Sequence, residues 1–437
     1  MGAFDALTAN RKLSRDVGWT LGSFVVLTIS GLAINVIVAV VRGAEDLGVF
    51  NLSYAVYIVA SQLAALGIHY SVMRSAARLQ SEAEERAAML RCAALLAAAL
   101  GVTVALLVVA GRPVFEFVFG SRQSADAVAA AGVGLSLFPL NKVLIAHING
   151  LRHMRMFATL QATRYVLVAA WVCLVAFSDR DFVAASYAFI VAESLTTAAA
   201  LLYLWRLGEL RGPDWGRRWV RQHFDFGLRS LPSGALLEFN SRVDVLLIGV
   251  LLTEREVGIY SFASMLYDGI YHVIAMLRVN ITPMLVAAHH DGDWTECQRL
   301  FGVSRRFVMP GVALLSLVTV AGYLVAVEFF VGGKGFEEGL VPLLVLLGGI
   351  TLASPLLPFD NLMLAAGFPI RQSLQNLVLV TASVLVGLVL IPVLGIVGAA
   401  LGVASGTLCA MATLTIFGRR HVGWDMVRNS LIGRGNV

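Results

Sequence analysis

Asp46-Leu-Gly-Val-Phe-Asn-Leu-Ser-Tyr-Ala-Val-Tyr57 has a counterpart 210 residues further on, Glu256-Val-Gly-Ile-Tyr-Ser-Phe-Ala-Ser-Met-Leu-Tyr267. In both, an acid is followed by an aliphatic residue, Gly, a second aliphatic residue and an aromatic one. Two further matches keep this order at nearly the same offset: Glu116-Phe-Val-Phe-Gly120 with Glu328-Phe-Phe-Val-Gly332, and Gly150 and Arg155 with Gly367 and Arg371. Three in-order matches predict two homologous halves, 1–215 and 216–437. If each half crosses a membrane an even number of times, both enter from the same side, and the repeat is parallel about an axis along the membrane normal. Such halves would enclose a central cavity that opens to either side in turn.

The stretches between these corners are apolar. The 437 residues are 58% hydrophobic and 14% charged, with a mean hydropathy of +0.80, whereas a soluble chain carries about 25% charged residues. Polar surface is too scarce for a sizeable soluble domain. At about 20 apolar residues per crossing, spans are predicted at 18–41, 48–72, 92–110, 127–150, 157–177, 182–205, 227–252, 258–288, 307–330, 339–366, 372–391 and 396–417. The expected fold class is therefore an all-α polytopic membrane protein of about twelve transmembrane helices, six to each half. The first run, Gly18 to Val41, is too long for a signal-peptide core and lacks a cleavage pattern, so it reads as a retained span. Cys92, Cys173, Cys297 and Cys409 are too scattered for a disulfide framework or a Cys-x-x-Cys metal site.

Orientation follows from the cations, because Lys and Arg stay on the cytoplasmic side. Of the 33, one side holds 22, among them Arg11, Lys12, Arg15, Arg86, Arg152, Arg155, Arg371 and the tail residues Arg428 and Arg434. The other side holds six (Arg42, Arg112, Arg122, Arg180, Arg255 and Lys334), and five lie within spans. This imbalance predicts cytoplasmic N- and C-termini. It also makes anionic lipid headgroups, and no nucleic acid, the partners of the basic surface.

Arg242-Val-Asp-Val-Leu-Leu-Ile-Gly249, followed by Glu256-Val-Gly-Ile-Tyr-Ser261, resembles the seventh-to-eighth helix junction of the polysaccharide transporters in the multidrug/oligosaccharidyl-lipid/polysaccharide exporter superfamily. Asp46-Leu-Gly-Val-Phe-Asn51 is similar to its first-half counterpart. The resemblance extends over the whole chain in length and span count. It implies two six-helix bundles in a V shape and a flippase carrying undecaprenyl-diphosphate-linked oligosaccharide from the cytoplasmic to the periplasmic leaflet of a bacterial inner membrane, for O-antigen (lipopolysaccharide), capsule or exopolysaccharide. A monomer is expected, with a polymerase or ligase of the same pathway as a candidate partner. A drug/cation antiporter of the superfamily is the alternative.

Charges inside spans are the candidate site residues, since each costs about 2.5–3.5 kcal/mol near the bilayer centre. Lys142, Arg164, Arg229, Arg242 and Arg278 face Glu193, Glu238, Asp244, Asp268 and Asp360 in number. Lys142 and Arg242 fall near mid-bilayer, Arg164 and Arg278 are close enough to helix ends to snorkel, and Arg229 is interfacial. Arg242 and Lys142, then Arg164 and Arg278, are the candidate ligands for a diphosphate. Glu238 and Arg242, four apart, are expected to pair on one helix face. Asp268 with His272 could carry protons, and Glu193, Asp244 and Asp360 are coupling or structural charges. Glu82, Glu84 and Glu85 read as a solvated turn, and Pro139, Pro232, Pro283, Pro355 and Pro358 as helix kinks.

No phosphate-binding Gly-rich loop occurs, since Gly332-Gly-Lys334 lacks the spacing and the hydroxyl. No cofactor is expected. A membrane enzyme acting on lipid-linked sugars, a polymerase or glycosyltransferase, would need a large periplasmic loop with acid, base or metal-binding groups. The longest such loop is near 111–126 and carries no carboxylate pair.

Overall fold

The computed structural model describes residues 11–212 and 216–425, and these are helical, with no strand among them. The helices are α1 (Arg11–Val41), α2 (Ala44–Ala65), α3 (Ile68–Arg78), α4 (Ala83–Ala110), α5 (Arg112–Phe119), α6 (Arg122–Gly134), α7 (Phe138–Gly150), α8 (Met154–Ala176) and α9 (Ala188–Arg206), then α10 (Trp219–Asn240), α11 (Val243–Leu251), α12 (Glu254–Asp291), α13 (Thr295–Val303), α14 (Met309–Phe329), α15 (Leu340–Ala353), α16 (Leu362–Ala365), α17 (Pro369–Leu394) and α18 (Ile396–Phe417). The predicted tail cations Arg428 and Arg434, and the half boundary at 215, lie outside the described residues.

Among the described residues, ten helical stretches are long and apolar enough to cross a membrane, and the bent pair α6 and α7 makes up to eleven. The chain is a multi-pass membrane protein. The pair turns by 42° at a break where Pro139 sits in the first turn of α7, because proline fits a helix start and not its interior. The predicted span 227–252 departs most. It is two helices, α10 and α11, interrupted at Ser241 and Arg242. Span 48–72 also breaks, at Leu66 and Gly67, both in the left-handed region. By contrast, α12 runs through Pro283 and α17 through Pro392, and α17 turns into α18 at Gly395, φ 58° and ψ −139°.

The chain divides into two compact units. One runs to Arg42 and resumes over Val49–Phe239; the other takes Gly43–Gly48 and continues from Asn240. In the first, α1 lies along α8, and α3 packs on α7 through Ile68, Val72, Leu144 and Ile148. Arg42 closes the far end of α8, donating to the carbonyls of Val175 and Ala176 at 3.0 Å each and to that of Ser178; these are carbonyls of a helix C-terminus that lack intrahelical donors. In the second unit, α17 and α18 pack along Gly398, Gly402 and Gly406, where a side chain at 402 would stand 2.8 Å from Ser383 O. Small residues four apart let two helix backbones approach where lipid offers no hydrophobic drive. Large apolar side chains such as Leu314, Leu317, Val318 and Val325 of α14 stay exposed, as expected where the surrounding solvent is hydrocarbon.

The recurring corner has a packing reason. Any side chain on Gly48 would overlap the Glu254 carbonyl, and any on Gly258 would overlap the Ala44 carbonyl. The two motif glycines therefore let the starts of α2 and α12 cross backbone on backbone, and Gly43–Gly48 clusters with the second unit. The third match is also visible in the backbone, with a shifted alignment. After α7, the amide of Arg152 bonds to Asn149 O (2.8 Å) and that of His153 to Ile148 O (3.1 Å). Before α17, the amide of Gly367 bonds to Leu364 O (3.1 Å) and that of Phe368 to Met363 O (2.8 Å). Both are the same helix-ending turn. Arg152 (φ 59°), and not Gly150, takes the place of Gly367 (φ 80°). For a residue with a side chain that backbone costs about 1–2 kcal/mol. Gly150 serves a different need, since a side chain there would stand 2.6 Å from Met73 O on α3.

Candidate functional site

In the first unit the intramembrane charges converge on Glu193, fully buried on α9. Arg164 Nε on α8 donates to Glu193 Oε1 at 2.6 Å, Tyr57 Oη on α2 donates to the same oxygen at 3.2 Å, and Asn141 Nδ2 on α7 donates to Oε2 at 2.6 Å. Asn141 also reaches Thr196 Oγ1 at 2.8 Å. Four helices thus meet at one carboxylate whose lone pairs are largely satisfied, the condition under which a buried ion pair is tolerated. Two cations approach Phe138: Lys142 Nζ and the Arg164 guanidinium carbon each lie 5.2 Å from its ring centroid, within cation–π range. A cavity of about 90 Å3 opens beside Arg164 and Tyr165, walled in part by Tyr54, Asn35 and Asn51, and there Asn51 Nδ2 donates to Asn35 Oδ1 at 3.1 Å.

In the second unit, Arg278 Nη1 on α12 lies 3.0 Å from Asp360 Oδ2, and Gln375 Nε2 on α17 donates to Asp360 Oδ1 at 2.6 Å. Tyr260 Oη donates to Asp244 Oδ2 at 2.7 Å, and the Asp244 carboxylate also accepts from the Val245 amide at 2.8 Å. Arg242 lies within electrostatic reach of both Asp244 and Asp268.

Several expectations change. Arg164 and Arg278 do not snorkel to headgroups; each is held by a carboxylate inside its unit. The helical spacing expected to pair Glu238 with Arg242 is broken, because α10 ends at Asn240 and Arg242 stands at the N-cap of α11 with φ −136° and ψ 0°. The charge of Glu238 acts on Lys142 within the first unit. His272 Nδ1 bonds to the Asp268 backbone carbonyl at 2.6 Å, and the imidazole also lies within electrostatic reach of the Asp268 carboxylate. In the turn at 82–85, Glu82 and Glu84 are exposed, whereas Glu85 accepts from Trp219 Nε1 at 2.6 Å and pairs with Arg218. The residues that sequence reasoning passed over are Asn141, Tyr260 and Gln375, each a polar side chain in an apolar run. That was the available signal, because a buried amide or hydroxyl is costly unless bonded.

A third buried cluster ties helix ends together on the cation-rich side of the first unit. Arg86 donates to both oxygens of Glu209 (2.9 and 2.5 Å) and to Leu79 O and Gln80 O, and His147 Nε2 lies 3.0 Å from Glu209 Oε2. Burial would raise the Glu209 carboxyl, but the hydrogen bonds from His147 and Arg86 outweigh it and hold it down at about 2. A depressed carboxylate stabilises the fold fully above its ordinary value and loses that contribution only as pH falls toward its folded value. Glu209→Gln is expected to cost about 2–3 kcal/mol, the range of hydrogen bonds to a charged group. The gap to wild type in detergent thermal unfolding should be constant from pH 5 to 8 and narrow below pH 4; a gap that closes between pH 8 and 6 would contradict this assignment.

The family profile described as "Polysaccharide biosynthesis protein" matches residues 13–289. The chain belongs to that family. The family match covers the first unit from residue 13 on and the Arg242–Ser261 junction, so Lys142, Arg164, Glu193 and Arg242 all fall within it. No curated protein matches the sequence. Among solved structures, the chain is similar to an inward-facing multidrug resistance MATE family transporter of the MOP superfamily (14% identity, TM-score 0.71, covering 94% of this chain and 96% of that one). It is also similar to the lipid II flippase MurJ in an inward closed conformation (11%, 0.68, 95% and 90%) and to the eukaryotic MATE transporter AtDTX14 (12%, 0.59, 96% and 98%). At these identities the likeness shows the helical fold alone and nothing about its cargo.

Proposed function

We propose that this member of the polysaccharide biosynthesis family is a flippase, not an enzyme, that moves undecaprenyl-diphosphate-linked oligosaccharide from the cytoplasmic to the periplasmic leaflet of a bacterial inner membrane by alternating access between two six-helix halves, 1–215 and 216–437. Both termini face the cytoplasm in this reading. The observation that carries it is the pair of cations, Lys142 within the bent span of α6 and α7 and Arg242 at the N-cap of the apolar α11, in a polysaccharide-family protein. A polyisoprenyl diphosphate brings at least two negative charges into a region of low dielectric, and a facing guanidinium or ammonium offsets that cost through charge-assisted hydrogen bonds. Arg164 and Arg278 would have to give up Glu193 and Asp360 before contacting phosphate, so in this reading they rank behind Arg242 and Lys142. Asp244, Asp268, His272 and Glu238 take coupling or structural roles. A drug/cation antiporter would instead be expected to concentrate carboxylates at its transport site.

The test is a deletion strain lacking other flippases of this kind. Lipid-linked repeat units should accumulate on the cytoplasmic leaflet and surface polymer should disappear, both reversed by the gene in trans. Normal arrival of repeat units at the periplasmic leaflet without the protein rejects the assignment.

A further inference from the structure

We propose that the cavity between the start of α1 and the α7–α8 turn binds the phosphate headgroup of an anionic phospholipid, a site separate from any transport pathway. The cavity is open, about 650 Å3, and lined by Arg15, Arg152 and Arg155 against a single carboxylate, Asp16. Arg152 Nη2 lies 3.5 Å from Asp16 Oδ2, and the Arg155 guanidinium stands 5.4 Å from the Trp19 ring centroid. His153 Nδ1 is held by Tyr203 at 3.0 Å. The helix α8 starts in this wall. Its N-cap, His153, makes no side-chain cap, and the first amide to find a helical acceptor is that of Phe157, bonded to His153 O. The amides before it are therefore available to an anion, with the positive end of a long helix behind them.

Two further observations favour a ligand, and a lipid in particular. Arg152 is kept in a left-handed backbone where the equivalent turn has Gly367, and such strain persists where a side chain is needed. In that equivalent turn, moreover, Phe368 packs on His289 and His421 and Arg371 lies over the Phe417 ring, so rings fill the place that the first unit leaves open. The lipid source is indicated by α1. Its apolar span begins at Gly18, so a headgroup held by Arg15, Arg152 and Arg155 sits at the end of a membrane-length helix, where acyl chains begin. Free phosphate would gain nothing from a neighbouring apolar span.

The experiment uses the full chain in nanodiscs of phosphatidylcholine containing about one-tenth brominated phosphatidylglycerol or, as control, brominated phosphatidylcholine; the Trp19 contribution is isolated by comparison with Trp19→Phe. Symmetric discs make the result independent of orientation, and the readout is independent of cargo or transport. The expected result is stronger quenching of Trp19 by the phosphatidylglycerol probe. Arg152→Gly should lower that preference about fivefold, the share of one arginine at an anionic surface, while its melting temperature in detergent equals or exceeds that of wild type. Equal quenching by both probes overturns the proposal. So does a preference erased by millimolar inorganic phosphate, which would indicate a soluble-phosphate site, or one that survives Arg152→Gly unchanged.

Discussion

Arg242→Ala is expected to abolish surface-polymer complementation while the protein stays in the membrane at its normal level, and Arg242→Lys to retain part of the activity. The residue stands at the N-cap of α11, between two helical stretches, with the carboxylates of Asp244 and Asp268 in electrostatic reach. In hydrocarbon surroundings a hydrogen bond from a charged donor contributes about 1.5–3 kcal/mol, so losing it from a transported diphosphate slows translocation at least about tenfold. Lysine restores the charge but not the planar, bidentate fork. Polymer is measured on the cell surface and protein by immunoblot of the membrane fraction. Full complementation by the alanine variant would remove Arg242 from contact with cargo and leave Lys142 as the remaining candidate.

Glu193→Ala should have the largest effect on stability, about 3–5 kcal/mol, because it strands a buried guanidinium. Arg164 is only 15% exposed, and Tyr57 and Asn141 lose their acceptor in the same step. The variant should fall to low abundance and unfold at lower temperature in detergent. Replacing the whole pair, Arg164→Met with Glu193→Leu, removes both charges and should recover most of the abundance, since apolar side chains of similar volume often substitute for a buried ion pair at little cost. That double variant separates two roles. If it reaches wild-type abundance and still complements, the pair only fastens α8 to α9; if it is abundant and inactive, the Arg164 cation takes part in transport. Low abundance of the double variant would contradict the energetic argument itself.

Much of the architecture was legible in the residues. Hydropathy summed over about 20 positions locates a helix whatever it packs against, and eleven of the twelve predicted segments coincide with helices or the bent pair that meet that criterion. The exception, 227–252, was misread for a physical reason. Its apolar content suits a span, but the turn at Ser241–Arg242 splits it, and a hydropathy window does not register a two-residue interruption. The corner glycines were legible as a repeat, yet not as a contact. That Gly48 and Gly258 let α2 and α12 cross depends on residues 210 positions apart meeting backbone to backbone.

The candidate site was legible as a list of charges and not as a set of partners. Spacing pointed to Glu238 with Arg242, a local rule that holds only within one unbroken helix. Glu193 with Arg164, and Asp360 with Arg278, are 29 and 82 residues apart. Which charge meets which depends on how each helix is rotated about its axis and where it crosses its neighbours, and that is set by interdigitating side chains along its whole length. The amides that complete both clusters, Asn141 and Gln375, became partners by the same packing. Composition and cation distribution by themselves thus determined a multi-pass helical chain, because transfer into hydrocarbon is a sum over local segments. Only the tertiary structure decided that Arg164 is neutralised by Glu193, that Arg278 is neutralised by Asp360, and that Arg152 carries the strain its repeat partner avoids with Gly367.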